Sequence, residues 1–275
     1  MTALIVPVVE PRARFRDLVA SEWLKLWSLR STGWSLVLGA LAVMAFNVGT
    51  AWDHYRYWFA YDEASRAAFV ADGLALGDAF TGNAAMVLVL CSAAMGAVAV
   101  VGEYGGGLAR TTFAAVPARG SLISAKALVL AGVQAGFGAV VAGGSFWATQ
   151  AVLSLRGVGV SLGHPPALRL VVASALLAPV CALAGMALGA LTRRGAAAVV
   201  GAVVLLLLVP MVLSEERRLT AVLGHATPLR AWQRLAGEGV AGPFPWTVGG
   251  AWAVYGVWAV VAALVTVVAV RRRDQ

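Results

Sequence analysis

Six long apolar runs, separated by more polar connections, constrain this chain more than any other feature. They fall at roughly residues 33–52, 80–101, 125–155, 168–191, 195–213 and 246–270. A helix needs about 20 residues to cross a hydrocarbon core of about 30 Å, and each run meets that length. In lipid every backbone N–H and C=O must be satisfied within the protein, which leaves helices or closed barrels. Uninterrupted runs of this length select helices. The expected fold is therefore all-α: a polytopic membrane protein with about six transmembrane helices, one transmembrane domain over residues 1–275. Composition agrees, since only 12% of residues are charged and 60% are hydrophobic, against about 25% charged in soluble domains.

The basic residues orient the bundle. With the N-terminus inside, 13 of the 21 Lys and Arg residues fall on inner segments and 8 on outer ones. The short Thr192-Arg193-Arg194 turn and the Arg271 to Arg273 tail weigh most, because short loops carry the positive-inside bias. Both termini are expected to be cytoplasmic, and the net charge of +8 reads as topology, not as nucleic-acid binding. Trp23, Trp27 and Trp34 fall near the inner edge, and Trp52, Trp58, Trp147 and Trp246 near the outer edge, as an aromatic belt would. No basic stretch precedes the apolar start MTALIVPVVEP, so a cleavable signal peptide is not expected.

Residues 1–32 form a basic segment ahead of the first run. Between Phe15 and Leu29, apolar positions including Leu18, Trp23, Leu26 and Trp27 recur at near-helical spacing, with Glu22 and Lys25 between them and Arg30 just beyond. This predicts an amphipathic helix lying against membrane lipid at the interface. The third run is longer than a bilayer requires, so tilt, a projecting end or a break near Gly143-Gly144 is expected. Residues 53–79 and 214–245 read as polar outer loops, and Pro179 lies inside the fourth span. GxxxG spacings such as Gly132/Gly136 and Gly185/Gly189 are about as frequent as 31 glycines give by chance.

No catalytic, cofactor-binding or metal constellation is evident. The chain has no Walker A loop. His54, His164 and His225 stand alone, without metal-ligand spacing. Cys91 and Cys181 sit in apolar runs and read as small packing residues. Glu215-Glu216 lacks the companions of an intramembrane protease. The middles of the spans hold almost no ionisable residues, which argues against a proton-coupled carrier. Sodium sites built from backbone carbonyls stay open.

Two stretches carry a family resemblance. The first is Ser21-Glu22-Trp23-Leu24-Lys25-Leu26-Trp27-Ser28-Leu29-Arg30-Ser31-Thr32. The second runs from Gly102-Glu103-Tyr104-Gly105 through Leu108, Arg110, Thr111 and Thr112 to Pro117, Arg119 and Lys126. Both resemble the permease subunits of type-two ABC exporters, particularly the short actinobacterial ones. The resemblance implies a permease of the bacterial cell membrane that binds no nucleotide itself. It also implies a second permease chain, identical or related, and separate ATPase subunits that bind and hydrolyse ATP. The segment holding Glu103, Tyr104, Leu108, Arg110, Thr111, Thr112, Phe113, Pro117 and Arg119 would be its coupling element. Read from residues alone, Tyr104 to Gly107 interrupts helix and Leu108 to Val116 is either a short helix ended by Pro117 or a solvated loop. Glu103 is either an ordinary cap or a hinge. An ion-coupled carrier and a non-transporting regulatory or enzymatic membrane protein are the competing readings.

Overall fold

The apolar runs become helices because nothing else satisfies their backbones in lipid. The computed structural model describes residues 14–105, 119–237 and 243–273. Among these there are no strands, and six helical stretches are long and apolar enough to cross a membrane. In chain order the elements are α1 (Phe15–Ser28), α2 (Arg30–Tyr57), α3 (Glu63–Ala71), α4 (Leu74–Gly77), α5 (Gly82–Gly105) and α6 (Arg119–Ser154). These are followed by α7 (Pro165–Thr192), α8 (Gly195–Val203), a π-turn at Val204–Leu208, α9 (Val209–Val212), α10 (Arg218–His225), α11 (Pro228–Ala236) and α12 (Val248–Arg273). The six crossings alternate, so α1 and the end of α12 lie at the same end of the bundle, hereafter the α1 end.

The hub is α7. In its most apolar stretch 72% of residues are buried, against 22% to 28% in the first, fifth and sixth crossings. Close approach by glycine makes this possible. A Cβ on Gly96 of α5 would lie 1.8 Å from the Ala182 carbonyl oxygen, and one on Gly185 of α7 would lie 1.9 Å from that of Ala93. Gly138 of α6 meets the Ala175 carbonyl in the same way, at 2.1 Å. The helices thus touch backbone to backbone, as small residues allow in membranes. Of the two GxxxG spacings, Gly185/Gly189 is such a contact, while Gly132 and Gly136 face open space.

Several boundaries differ from the sequence reading. The long third run is one unbroken helix of 36 residues, with no break at Gly143-Gly144. Gly144 instead accommodates the Met44 side chain of α2. At 1.5 Å per residue α6 is about 54 Å long, so it tilts or projects. It begins at Arg119, not near Ala125, and α5 continues through Glu103 and Tyr104 to Gly105. Glycine in a helix end costs only about 1 kcal/mol, which the turns before it offset. Residues 53–79 are not an open polar loop. They hold the end of α2, a 3-10 turn at Trp58–Ala60, α3 and α4, with Trp58, Phe69 and Ala75 packed together.

The stretch 214–245 is not an open polar loop either, for it carries α10 and α11. α11 inserts among the crossings: Trp232 and Leu235 are fully buried, and the Trp232 indole N–H donates to Ser174 Oγ at 2.9 Å. Its polar composition conceals a strongly two-faced helix, stopped by Gly237 at φ +93°.

Candidate functional site

Polar side chains gather at two ends of the bundle. At the end far from α1 they hold backbone in place. Asn47, fully buried in α2, accepts from the Thr81 N–H at 2.9 Å and donates to Ser145 Oγ at 3.0 Å. Gln150 donates to the Ala75 carbonyl at 2.7 Å and accepts from the Val160 N–H at 2.8 Å. His54 lies in α2, not in a loop, and its Nδ1 is 2.6 Å from the buried Asp78 carboxylate.

Five arginines at this end donate to backbone carbonyls. Arg66 donates to the carbonyls of Trp58 and Phe59, and Arg156 to that of Tyr55. Arg169 donates to Leu235, Arg230 to Pro210 and Leu213, and Arg234 to Trp246. Tyr55, Pro210 and Leu235 lie in the last turns of their helices, where unsatisfied carbonyls carry partial negative charge and a guanidinium answers both features, while the Trp246 carbonyl precedes α12. Arg156 also stacks its guanidinium 4.1 Å from the Tyr55 ring and 4.3 Å from Phe59. This end is therefore built for rigidity. A shallow groove of about 350 Å³ beside Phe146, Trp147 and Leu162 adds no reactive group. No cluster of three or more metal-ligating side chains occurs among the described residues.

The α1 end differs. α1 begins at Phe15, with the Asp17 carboxylate accepting from the Arg14 N–H at 3.2 Å. The side of α1 carrying Leu18 and Glu22 faces α6, where Leu18 packs with Leu122 and Ala125. Glu22 is only 2% exposed. One carboxylate oxygen accepts from Lys25 Nζ at 2.6 Å, and the other from Lys126 Nζ of α6 at 2.5 Å. These are the only two lysines among 21 basic residues, and one carboxylate holds both. Removing one partner of a buried ion pair costs about 3–5 kcal/mol, far more than the pair's net contribution.

Glu22, which the sequence places between the apolar positions of an interfacial helix, is thus buried against α6. The helical periodicity holds, but the α6 partner is out of reach of any local pattern. Of the apolar residues assigned to that helix, Leu18 faces α6 beside Glu22, whereas Trp23 is 49% exposed with its ring 5.7 Å from that of Trp27, and Leu26 is half-buried. Arg30 is exposed and opens α2, separated from α1 by the single extended residue Leu29 (φ −89°, ψ 113°). Lys126, at the end of the second motif, is the residue that sequence reasoning missed. Its rarity as a lysine is the available signal.

Of the residues expected to couple to a partner, Leu108, Arg110, Thr111, Thr112, Phe113 and Pro117 lie outside the described residues. For Glu103, Tyr104 and Arg119 the helical backbone alone is described: the first two close α5 and Arg119 opens α6. Lys126 sits seven residues into α6, about 10 Å along its axis from Arg119. The Glu22 cluster therefore holds α1 beside the first two turns of α6. Searches with the sequence find no matching protein-family model and no matching curated protein.

Proposed function

We propose that the chain is the membrane-spanning permease subunit of an ATP-driven ABC exporter. In this reading it lies in the bacterial cell membrane with both termini in the cytoplasm. It pairs with a second permease chain, identical or related, and with separate ATPase subunits that bind all the ATP. The observation that carries the proposal is the docking of α1, through buried Glu22, onto the start of α6. The two stretches that resemble the exporter permeases are the α1 segment and the chain leading into α6. Their contact through Glu22 of the first and Lys126 of the second supports one shared role. Six crossings and the absence of a phosphate-binding loop are in keeping with it.

The test is to look for an ATPase gene beside that of this chain and to co-purify the two products. The purified chain alone hydrolyses no ATP. Phe113→Asp introduces an unpaired charge at the proposed contact, with a penalty of several kcal/mol where the site is buried. The variant inserts normally and loses the ATPase. Unchanged association of Phe113→Asp, or ATP hydrolysis by the chain alone, defeats the proposal.

A further inference from the structure

We propose that Glu22 is a positioning residue that makes α1 and the first two turns of α6 one moving unit. A displacement at the start of α6 then reaches α2 through the single-residue joint at Leu29. The inference extends the permease reading, because such a displacement is how an ATPase stroke would arrive.

Three observations converge. First, α1 is fixed by α6 and not by its own neighbour in sequence. The helices α1 and α2 are joined by one extended residue, whereas the α1–α6 contact combines Leu18, Leu122 and Ala125 with a buried ion pair. Second, the pair is inside the contact. Glu22 is 2% exposed and the Lys126 side chain 10%, so solvent screening is weak. A charge pair in that setting has a narrow range of tolerated geometries, since any separation leaves two desolvated charges apart. Third, the other side of α1 carries Trp23, Leu24 and Trp27, 46% to 69% exposed. These suit lipid at the interface, which holds no fixed register, so the Glu22 carboxylate supplies the register against α6.

Both oxygens of the carboxylate are used, and the two lysines have different duties. Lys25 is on the same helix as Glu22 and 43% exposed. Its ammonium neutralises the carboxylate from three residues along the same helix. Lys126 makes the link between helices. A lysine's compact ammonium on a long stem fits this role, reaching across a helix contact to one oxygen.

The test uses the full chain in lipid nanodiscs, with Cys91 and Cys181 replaced by alanine. Spin labels are placed at Leu24→Cys on α1 and Leu128→Cys on α6, both exposed positions. The expected distance distribution is narrow with Glu22 present, broad in Glu22→Gln and in Lys126→Gln, and nearly unchanged in Lys25→Gln. The double variant Glu22→Leu/Lys126→Leu, which replaces the pair by apolar contact, restores a narrow distribution. In complex with the ATPase, Glu22→Gln keeps association but loses the stimulation of ATP hydrolysis by the membrane chain, and the double leucine variant recovers it. Identical distributions with and without the Glu22→Gln substitution overturn the proposal. So does a broadened distribution with full stimulation. If no ATPase associates even with the unmutated chain, the permease reading fails, while the distance measurement still decides the link between α1 and α6.

Discussion

Replacing Gly185 by alanine tests whether α5 and α7 meet through their backbones. The added Cβ would sit 1.9 Å from the Ala93 carbonyl oxygen and 2.8 Å from its Cα. Ordinary contact begins near 3.5 Å, so the helices must part by about 1.5 Å. A side chain can swing aside, but a helix backbone cannot, and the displacement spreads to Gly96 against Ala182 and Gly189 against Ala97. Overpacking of this kind costs about 1–3 kcal/mol. The better helix propensity of alanine returns up to about 1 kcal/mol. Gly136→Ala provides the matched control, because nothing lies within 4 Å of its added Cβ and only the propensity gain applies. Thermal unfolding in mild detergent, followed by size-exclusion fluorescence, should place Gly185→Ala below the unmutated chain and Gly136→Ala at or above it. If both variants shift the same way, the backbone contact is not what holds α7 at the hub.

Further outcomes follow from the same geometry. Trp232→Ala empties a fully buried site and removes the bond to Ser174, so it should cost about 3–5 kcal/mol in the same unfolding assay. His225 stacks on Trp246 at 4.5 Å, and burial lowers its pKa below the ordinary 6.5. The folded chain thus binds this proton less readily than the unfolded one. Its contribution to stability is complete above about pH 6.5 and is lost as pH falls through the depressed value. Protease cleavage within 214–246 should rise on acidification, and His225→Phe should remove that dependence. Arg156→Gln deprives the Tyr55 carbonyl of its donor, at about 1.5–3 kcal/mol for a charged hydrogen bond. Amide exchange in residues 58–81 should accelerate. For topology, single cysteines at Ser65 and Thr220 should react with an impermeant thiol reagent on intact cells while one at Ser28 does not; the reverse pattern would invert the bundle.

The crossings are legible because each is specified by its own residues: a run such as Ala84 to Val101, helical throughout, needs no distant partner to be recognised. What escapes is everything set by partners distant in sequence. Glu22 has the local appearance of a surface residue, and only Lys126, 104 positions away, makes it a buried one. α11 looks like loop because Arg230, Gln233 and Arg234 dilute its composition, although they share one side of a helix whose other side fills the core. The arginines at the far end weaken the charge asymmetry in a simple tally, yet they are tied to helix-terminal carbonyls. That role depends on where other helices stop, which no periodicity records.

The crossings are also unequal in length. The fifth has 18 residues, Gly195–Val212, against 35 for the third. At 1.5 Å per residue the fifth reaches about 27 Å, a little less than an average hydrocarbon core. Its π-turn at Val204–Leu208 and Pro210 leave it no spare turn to extend. Beside the fifth crossing the bilayer thins or flanking side chains reach to the headgroups, while the third crossing suits a thicker bilayer. Acyl-chain length in the surrounding lipid thereby becomes a mechanical load on one helix alone. Growth conditions that thicken the membrane would strain the fifth crossing first, at a fraction of a kcal/mol per ångström of mismatch.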